Sequence, residues 1–470
     1  MTMNRRSFLT SGSALAVATA FGSTLLGATA GPASAAPPAP GGGRPGAGYG
    51  PLRPTAPRGG GPEYLAVPAG FTYSVHGITG APMSGYDHPH PHQLDGAAAF
   101  ELANGNVAYL RNCEDRAPAG APQQFSIRDR TNAYDARAYG GVTTLEFDRN
   151  LNHVVRESIV LTGTTVNCAG GIVSVDGVQG WMTCEETTVG PANGFEQKHG
   201  YTYFVPAAAE GPVRAEPFRQ MGRFAHEAVA QDAAGVVYLT EDQGDTSGFY
   251  RYLPDDRSLR TGRLQMLAVD GQPTFTAFTG QQQGATFPVT WVDIAIPDPE
   301  LPAQPRTAVQ GRTLGAAYFN RLEGIWAGAG TMTFASTSGG AARRGQIWQY
   351  DIARQTLSMI FESTGSDVLD SPDNLVVTPR GGIILCEDDA SGDGDTHPLA
   401  PGLTDVNRLI GLSADAQPFE LVVNRFNDAE LAGAAFSPDG RTLFFNVFGN
   451  GAAGQGFTVA LRGPWNAGPL

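Results

Sequence analysis

The feature that most constrains the fold of this chain is a short apolar run closed by two acidic residues, which occurs four times. Each run is rich in β-branched or aromatic side chains, as buried β-strands are. Acidic residues often follow strands simply as turn formers. Four such endings nevertheless predict equivalent strands that bring carboxylates together, where they share protons or bind hard cations such as Ca²⁺. The four runs are 107–115, 181–186, 236–242 and 383–388.

The spacing of these runs indicates a repeated all-β unit. Two further runs, 331–340 and 443–450, occupy the same place in the pattern without an acidic pair. The run ends recur at intervals of roughly 50 to 95 residues, which suits one four-stranded sheet with its loops. Turns rich in glycine and proline separate the strands, and no amphipathic helix longer than about three turns is evident. We therefore predict a six-bladed β-propeller with a central metal site, the acidic runs being its innermost strands. The longest interval leaves room for an insertion at 273–312, predicted to lie over the site or at its rim.

The N-terminus predicts export. Asn4-Arg5-Arg6-Ser7-Phe8-Leu9 is a twin-arginine signal, and a weakly apolar run leads to the small-residue cleavage site Ala33-Ser34-Ala35. We predict a signal peptide at 1–35, a disordered Pro/Gly-rich linker at 36–61 and the propeller domain at 62–470. The twin-arginine export machinery is thus an expected partner, and the mature protein is expected in the periplasm, at the cell surface or outside the cell.

Charge narrows the possible partners. The net charge is −14, and Lys198 is the only lysine. This excess of acid argues against nucleic acid or an anionic membrane surface as a partner, while it leaves room for bound cations. We expect a monomer that acts on a small substrate.

The four cysteines leave two interpretations open. An even number in an exported protein is compatible with disulfides. Cys113, Cys184 and Cys386, however, each precede a glutamate at a predicted strand end, where packing or metal ligation fits as well. Cys168 lies in a separate glycine-rich segment, and its thiolate would be a poor ligand for calcium but a good one for iron or zinc. A mixed metal site is expected if Cys168 reaches the acidic strand ends.

Other side chains suited to metal or anion binding lie near these strand ends. Arg321 and Glu323, two residues apart on an extended chain, point to the same side. An arginine beside metal carboxylates would hold an anionic substrate, although an ordinary salt bridge explains the pair equally well. Segment 222–228 brings an arginine, a histidine and a glutamate close to the third run. Asp373 and Asn374 open a later strand as possible oxygen ligands.

Together these motifs resemble the PhoX family of twin-arginine-exported alkaline phosphatases. They occur in the family's order and span most of the chain after the linker. The matching segments are NCAGG at 167–171, TCEE at 183–186, GRFAHE at 222–227, TED at 240–242, RLEG at 321–324 and SPDNL at 371–375.

The resemblance implies a six-bladed propeller that hydrolyses phosphate monoesters at a cluster of Fe³⁺ and Ca²⁺. The small phosphorylated substrate would be held by the metals and an arginine, without a serine nucleophile. The implied iron ligands are Cys168, Glu241 and Glu323, and the further metal carboxylates are Glu185, Glu186, Glu227 and Glu387. The implied catalytic residues are Arg321, which clamps the phosphate, and Glu323, and the implied substrate-binding residues are Arg321, Asn112 and Arg223. Further candidates are Glu114, His226, Asp242, Asp373, Asn374 and Asp388.

One departure from the family pattern bears on activity. Asn112-Cys113-Glu114 stands where the family has Asn-His-Glu, and the C-terminal segment 430–440 resembles a shorter branch of the family. Two other functions therefore stay open. One is a different calcium-dependent propeller hydrolase, such as a lactonase or phosphodiesterase. The other is a non-enzymatic extracellular propeller that binds calcium for stability.

Overall fold

A computed structural model describes residues 48–151, 153–388 and 392–470, and this part of the chain is mostly β. The predicted signal peptide and the first part of the predicted linker lie outside the described residues. Besides the α-helix α1 (Thr307–Thr313), the described residues form short 3₁₀ turns at Pro191–Asn193, Arg219–Met221, Gly244–Thr246 and Trp465–Ala467. No helix in the described ranges has the length and apolar character needed to span a membrane.

The strands follow one another in groups along the chain. The N-terminal strands are β1 (Leu52–Thr55), β2 (Leu65–Pro68) and β3 (Thr72–His76). They are followed by β4 (Leu94–Glu101), β5 (Val107–Cys113), β6 (Gly140–Phe147), β7 (Val154–Thr164), β8 (Asn167–Val175), β9 (Val178–Glu185) and β10 (Thr202–Pro206). The middle strands are β11 (His226–Gln231), β12 (Val237–Glu241), β13 (Phe249–Pro254), β14 (Gly262–Val269), β15 (Thr286–Asp293), β16 (Leu322–Ala327), β17 (Thr331–Ser336), β18 (Gln346–Asp351) and β19 (Thr356–Glu362). The last are β20 (Pro372–Val377), β21 (Ile383–Glu387), β22 (Arg408–Leu412), β23 (Pro418–Asn424), β24 (Leu431–Phe436), β25 (Thr442–Val447) and β26 (Phe457–Arg462).

These strands form antiparallel sheets arranged as a β-propeller. In strand order the sheets are β4-β5-β6-β7, β10-β9-β8, a nine-stranded sheet from β11 to β16, β1-β2-β23-β22-β21-β20, and β24-β25-β26-β3. The strands β4, β8, β11, β16, β20 and β24 contact one another in that order, and β24 contacts β4 again. We call these the inner strands, because their closed ring surrounds the centre of the molecule. The prediction of an all-β propeller is confirmed.

The ring corrects the predicted identity of the innermost strands. The acidic runs were expected to be innermost, but they form β5, β9, β12 and β21, which are the second strands of their sheets. Each is antiparallel to an inner strand, so its C-terminal end lies beside the inner strand's N-terminal end. The acidic ends therefore still reach the centre, although the strands that carry them do not line it.

The insertion at 273–312 adds a strand instead of only a loop. Within it, β15 pairs with β14 on one side and with β19 on the other. This joins two strand groups into the nine-stranded sheet, and hydrogen bonding in the described residues therefore delimits five sheets. The count of six blades, one for each inner strand, stays a prediction.

The two ends of the described chain are tied together. β3 pairs with β26 and completes the last sheet, while β1 and β2 extend the sheet that begins at β20. Tyr49 packs its ring edge-on against Phe71, Phe419 and Trp465. The predicted linker at 36–61 therefore extends too far, because Tyr49 and β1 supply apolar and backbone contacts that its composition did not suggest.

Candidate metal and phosphate site

Each inner strand contains a β-bulge at the same place. The pairing of the inner strand with its second strand shifts just after the first or second residue, in every sheet of the ring. A bulge turns a side chain out of the regular alternation of a strand, and bulges are common beside active sites. The first residue of each bulge, in ring order, is Asp95, Cys168, Glu227, Glu323, Asp373 and Gly433.

The acidic ends of the second strands join this ring in an unexpected register. In four sheets, the inner-strand residue just before the bulge has a partner on the second strand. These partners are Cys113, Glu185, Glu241 and Glu387. Cys113 is thus equivalent to Glu185, whereas the sequence pattern had aligned it with Cys184. Consequently the equivalent residues that follow these strands are Glu114, Glu186, Asp242 and Asp388.

These two sets and Glu430 form a buried acidic group at the centre of the ring. Each carboxyl or thiol group lies close enough to others in the set to influence their ionisation. We call the set the central cluster; its members are Asp95, Glu114, Cys168, Glu186, Glu227, Asp242, Glu323, Asp373, Asp388 and Glu430.

The cluster contains one group of possible ligands that includes sulfur. Ligand atoms of Glu114, Cys168 and Glu186 all lie within 4.8 Å of one another, and these three residues are buried. The Cys168 Sγ atom also lies 3.3 Å from Oε2 of Glu227. Burial raises the pKa of the Cys168 thiol well above its usual range, and Glu227 raises it further. A metal cation at this place would reverse that effect, because a coordinating thiol is deprotonated.

A second group consists of oxygen atoms alone. Carboxylate oxygens of Glu227, Glu323 and Asp373 lie within 4.8 Å of one another. Within the described ranges, both oxygens of Asp95, Oε1 of Glu227 and both oxygens of Glu323 are buried without a hydrogen-bond partner. Such oxygens are costly to bury unless a cation neutralises them. Oxygen-only groups of this kind suit hard cations such as Ca²⁺.

Crowding of these carboxyl groups opposes their ionisation. Burial is the largest cause that raises the pKa of Glu227, and Glu323 and Glu186 add to it. Burial likewise raises the pKa of Asp95, with Glu114 and Glu430 adding to the effect. Without cations the cluster would retain protons, and bound cations would release them.

Arg321 contributes positive charge at the edge of the cluster. Its Nε donates to Oδ2 of Asp242 at 3.2 Å. Its Nη2 lies 3.1 Å from Oε1 of Glu323, as an ion pair without hydrogen-bond alignment. Burial alone would lower the pKa of Arg321, but Asp242 and Glu323 raise it above the usual value, so the side chain stays charged. Arg321 enters β16 with a left-handed backbone, φ 39°, and residues with such backbones are concentrated at functional sites.

Three glutamates predicted as metal ligands lie outside this group because strand alternation turns them into their own sheets. Glu185 accepts hydrogen bonds from His199 Nδ1 at 2.6 Å and from the Gly200 amide at 2.9 Å. Glu241 accepts one from the Tyr250 hydroxyl at 2.6 Å. The side chain of Glu387 is paired with the guanidinium of Arg408 and accepts the Asp370 amide at 2.8 Å. We call Glu185, Glu241 and Glu387 the anchor glutamates, because protein donors already satisfy them.

Two residues predicted to bind substrate are engaged elsewhere. Asn112 Nδ2 donates to the carbonyls of Cys168 and Ala169, at 2.9 and 2.8 Å, and its Oδ1 accepts from Trp181. The guanidinium of Arg223 donates to backbone carbonyls, including those of His199 and Thr188. The contacts of both side chains hold neighbouring segments together and do not place them at the cluster, which corrects the prediction.

The other candidates are placed as follows. His226 stacks on Phe224 with ring centroids 3.7 Å apart, and burial lowers its pKa to about 3. It is therefore a neutral packing residue, turned away from Glu227 by strand alternation. Asn374 donates to Oδ1 of Asp373 at 2.9 Å and accepts the Gly433 amide. It thus positions a cluster carboxylate against the next inner strand.

Cys113, which replaces the family histidine, faces away from the cluster. It packs in an apolar group with Met83, Leu94, Ile127 and Ile159, and burial raises its pKa to about 12. All four cysteines are free and buried, and Cys184 and Cys386 also lie in apolar groups. Packing thus accounts for three cysteines, while Cys168 alone is a cluster member.

The glycines after Cys168 permit close packing of the inner strands. A Cβ at Gly170 would lie 2.0 Å from the Met182 carbonyl oxygen, and one at Gly171 would lie 1.9 Å from the Val229 carbonyl oxygen. Any larger residue would push β8 away from β9 or β11. The NCAGG motif therefore combines a cluster thiol with the spacing that the ring needs.

Sequence reasoning did not select three residues at the centre. Asp95 could have been found, because Leu94-Asp95-Gly96 repeats the pattern of Leu322-Glu323-Gly324. Glu430 could also have been found, because Glu430-Leu431-Ala432-Gly433 repeats the pattern of Arg321-Leu322-Glu323-Gly324. Arg116 carries no such signal, and the tertiary fold alone brings it to the cluster.

Fold and site together define a β-propeller protein with a buried acidic centre that can hold several cations. The family described as alkaline phosphatase PhoX matches residues 150–451, and the chain belongs to this family. The protein is therefore a phosphatase, as the sequence motifs predicted. A search among curated proteins finds no match.

Comparison with solved structures gives similarities at low sequence identity. Pseudomonas fluorescens PhoX, in complex with vanadate as a transition state analogue, is 16% identical with a TM-score of 0.61, covering 87% of this chain and 97% of that one. Staphylococcus aureus virginiamycin B lyase, as a catalytically inactive variant with quinupristin, is 11% identical with a TM-score of 0.39, covering 83% and 99%. A gluconolactonase from Xanthomonas campestris is 13% identical with a TM-score of 0.38, covering 83% and 95%. Only the first likeness is strong enough to support the fold.

Proposed function

We propose that this protein hydrolyses phosphate monoesters at the central cluster and that the cluster binds calcium and iron. The observation that carries the proposal is the set of buried acidic oxygens that lack hydrogen-bond partners within the described ranges, placed by equivalent bulges around one thiol. Family membership supports the reaction class. The donor set supports the metals: the oxygen-only group suits Ca²⁺, and the group with Cys168 suits a softer metal such as iron.

The roles of the protein residues follow from their positions. Glu227, Glu323 and Asp373 would hold calcium, and Glu114, Cys168 and Glu186 would hold iron. Bound cations would supply Lewis-acid stabilisation of the charge that develops on phosphoryl oxygens.

Arg321 would orient the phosphoryl group. It is only 14% exposed and is fixed by Asp242 and Glu323. Its planar guanidinium fits a tetrahedral oxyanion, and its fixed position means that little side-chain entropy is lost on binding.

Two measurements on one preparation test this function. Protein purified after expression with its N-terminal signal is analysed for iron and calcium, and then assayed with p-nitrophenyl phosphate. We expect both metals in stoichiometric amounts and hydrolysis that EDTA abolishes. Bis-p-nitrophenyl phosphate and a lactone serve as controls for a diesterase and a lactonase. Metal-loaded protein that hydrolyses only a control substrate, or none, contradicts the proposal.

We also propose that the twin-arginine segment directs export of the folded, metal-loaded protein. Replacing Arg5 and Arg6 with lysine keeps the charge but removes the arginine pair. We expect the precursor to be retained inside the cell, which fractionation and immunoblotting measure. Unchanged export of this variant contradicts the proposal.

A further inference from the structure

A second arginine lies at the cluster, on the loop that follows β5. Both Nε and Nη2 of Arg116 lie 2.7 Å from the same oxygen of Glu114, Oε1. The side chain of Glu114 is fully buried, whereas that of Arg116 is 35% exposed. Arg116 therefore lies at the boundary between the cluster and solvent, where a substrate would enter.

The orientation of Arg116 leaves one edge of its guanidinium available. One side of the group faces Glu114, and its carbon lies 5.9 Å from the ring centroid of Phe448, which is buried. Arg116 thus lies beside residues that follow strands of two different sheets. In the described chain Nη1 makes no hydrogen bond, so one N–H of Nη1 and the second N–H of Nη2, which lie parallel on the edge away from Glu114, are available.

Arg116 and Arg321 approach the cluster from opposite sides. Arg116 follows β5, which pairs with the inner strand β4, and Arg321 directly precedes the inner strand β16. In the closed ring of inner strands, β4 and β16 are three strands apart in either direction. The charge of Glu186, which lies at the cluster, acts on both arginines. The two guanidinium groups thus flank one acidic centre.

We propose that Arg116 is a second substrate-binding arginine, which holds phosphoryl oxygens of the substrate from the side of the cluster opposite Arg321. This inference rests on the phosphatase function proposed above. The available edge of Arg116 presents parallel N–H donors, and such a fork matches two oxygens of a phosphate.

The inference predicts a specific loss of anion affinity. In metal-loaded Arg116→Ala we expect the Kd for inorganic phosphate, measured by isothermal titration calorimetry, to rise about tenfold or more. KM for p-nitrophenyl phosphate should rise to a similar extent, while kcat and the iron and calcium contents stay close to those of the wild type. Arg116→Lys keeps the charge without the fork and should lose most of the same affinity.

The control is Arg128→Ala, which removes an exposed arginine of the same loop region that contacts only the Gln123 carbonyl through its guanidinium. It should leave phosphate affinity unchanged.

Unchanged phosphate affinity in Arg116→Ala overturns the inference. The inference is also overturned if Arg116→Ala loses bound metal and Arg116→Lys has both normal metal content and full phosphate affinity. If Arg116→Ala fails to fold, the phosphate affinity of Arg116→Lys tests the inference. Loss of most of that affinity supports it, and wild-type affinity overturns it. Wild-type protein that binds phosphate through Arg116 but hydrolyses no monoester contradicts the phosphatase proposal and leaves this inference intact.

Discussion

Two sets of carboxylates lie at the central ends of the inner and second strands and are equally buried, yet their surroundings are opposite. Protein donors surround the anchor glutamates Glu185, Glu241 and Glu387. Oxygens of Asp95, Glu227 and Glu323 lack hydrogen-bond partners within the described ranges. Burying a charge is tolerable only when another group compensates it. The anchor glutamates are compensated by the fold, whereas the central cluster is completed by something that the chain does not supply.

The difference arises from strand geometry. Neighbouring residues at a strand end point to opposite sides, so Glu185 enters its own sheet while Glu186 enters the centre. The bulges then add the inner-strand carboxylates to the same centre. The distinction would be wrong if mutations at the anchor glutamates mainly lowered activity and mutations in the central cluster mainly lowered stability.

The largest effect on stability is expected at an anchor glutamate. Glu387→Gln would leave the buried guanidinium of Arg408 with only the partly exposed Glu420 as a charged partner. We expect the free energy of unfolding to fall by about 3 kcal/mol. Urea denaturation in EDTA measures it, and activity per folded molecule should be retained. A variant as stable as the wild type would show that Glu387 does not act as an anchor glutamate.

The matched change at the centre should act on activity. Glu323→Gln keeps the shape of the side chain but removes a cluster charge, and we expect kcat/KM for p-nitrophenyl phosphate to fall by at least about 100-fold. In EDTA the same variant should be about as stable as the wild type, because without cations this crowded carboxyl group retains a proton and Asp242 still pairs with Arg321. Marked destabilisation in EDTA would mean that Glu323 is an anchor.

The anchor region should also impose a pH dependence on stability. His199 donates to Glu185 and Asp135, at 2.6 and 3.3 Å, and although burial opposes protonation, these carboxylates raise its pKa from 6.5 to about 9. The folded protein thus holds a proton that the unfolded chain releases between these values. The resulting stability is complete below about pH 6.5 and is lost as the pH rises through about 9.

We expect the melting temperature in EDTA to fall over this range more steeply for the wild type than for His199→Gln. The variant removes the titrating group and serves as its own control across the pH series. Parallel curves for the two proteins would show that His199 carries no extra proton in the folded state.

The smallest effect concerns two thiols in different surroundings. Cys113→Ala removes a sulfur from an apolar group and should cost about 1 kcal/mol of unfolding free energy, with metal content unchanged. Cys168→Ala removes a cluster ligand and should lose bound iron in elemental analysis. Loss of iron from the Cys113 variant would show instead that Cys113 contributes to metal binding.

Much of the fold and part of the site followed from sequence pattern. The repeated runs indicated the propeller, and the motifs indicated the family. The structure brings Cys168, Glu186, Glu227, Glu323 and Asp373, all sequence-based candidates, to the central cluster, while their role as ligands stays a prediction. Asn112 and Arg223 were placed wrongly, because a hydrogen-bonding side chain in a motif has the same appearance whether it faces a substrate or a neighbouring carbonyl.

The sequence by itself determined that strands with acidic ends recur, since periodicity and residue type are local properties of the chain. Only the tertiary structure decided which carboxylate of each pair faces the centre, because a register difference of one residue exchanges the two faces of a strand. It also brought Asp95, Arg116 and Glu430 to the cluster from segments far apart in sequence. Closure of the inner-strand ring, and not any local signal, sets those distances.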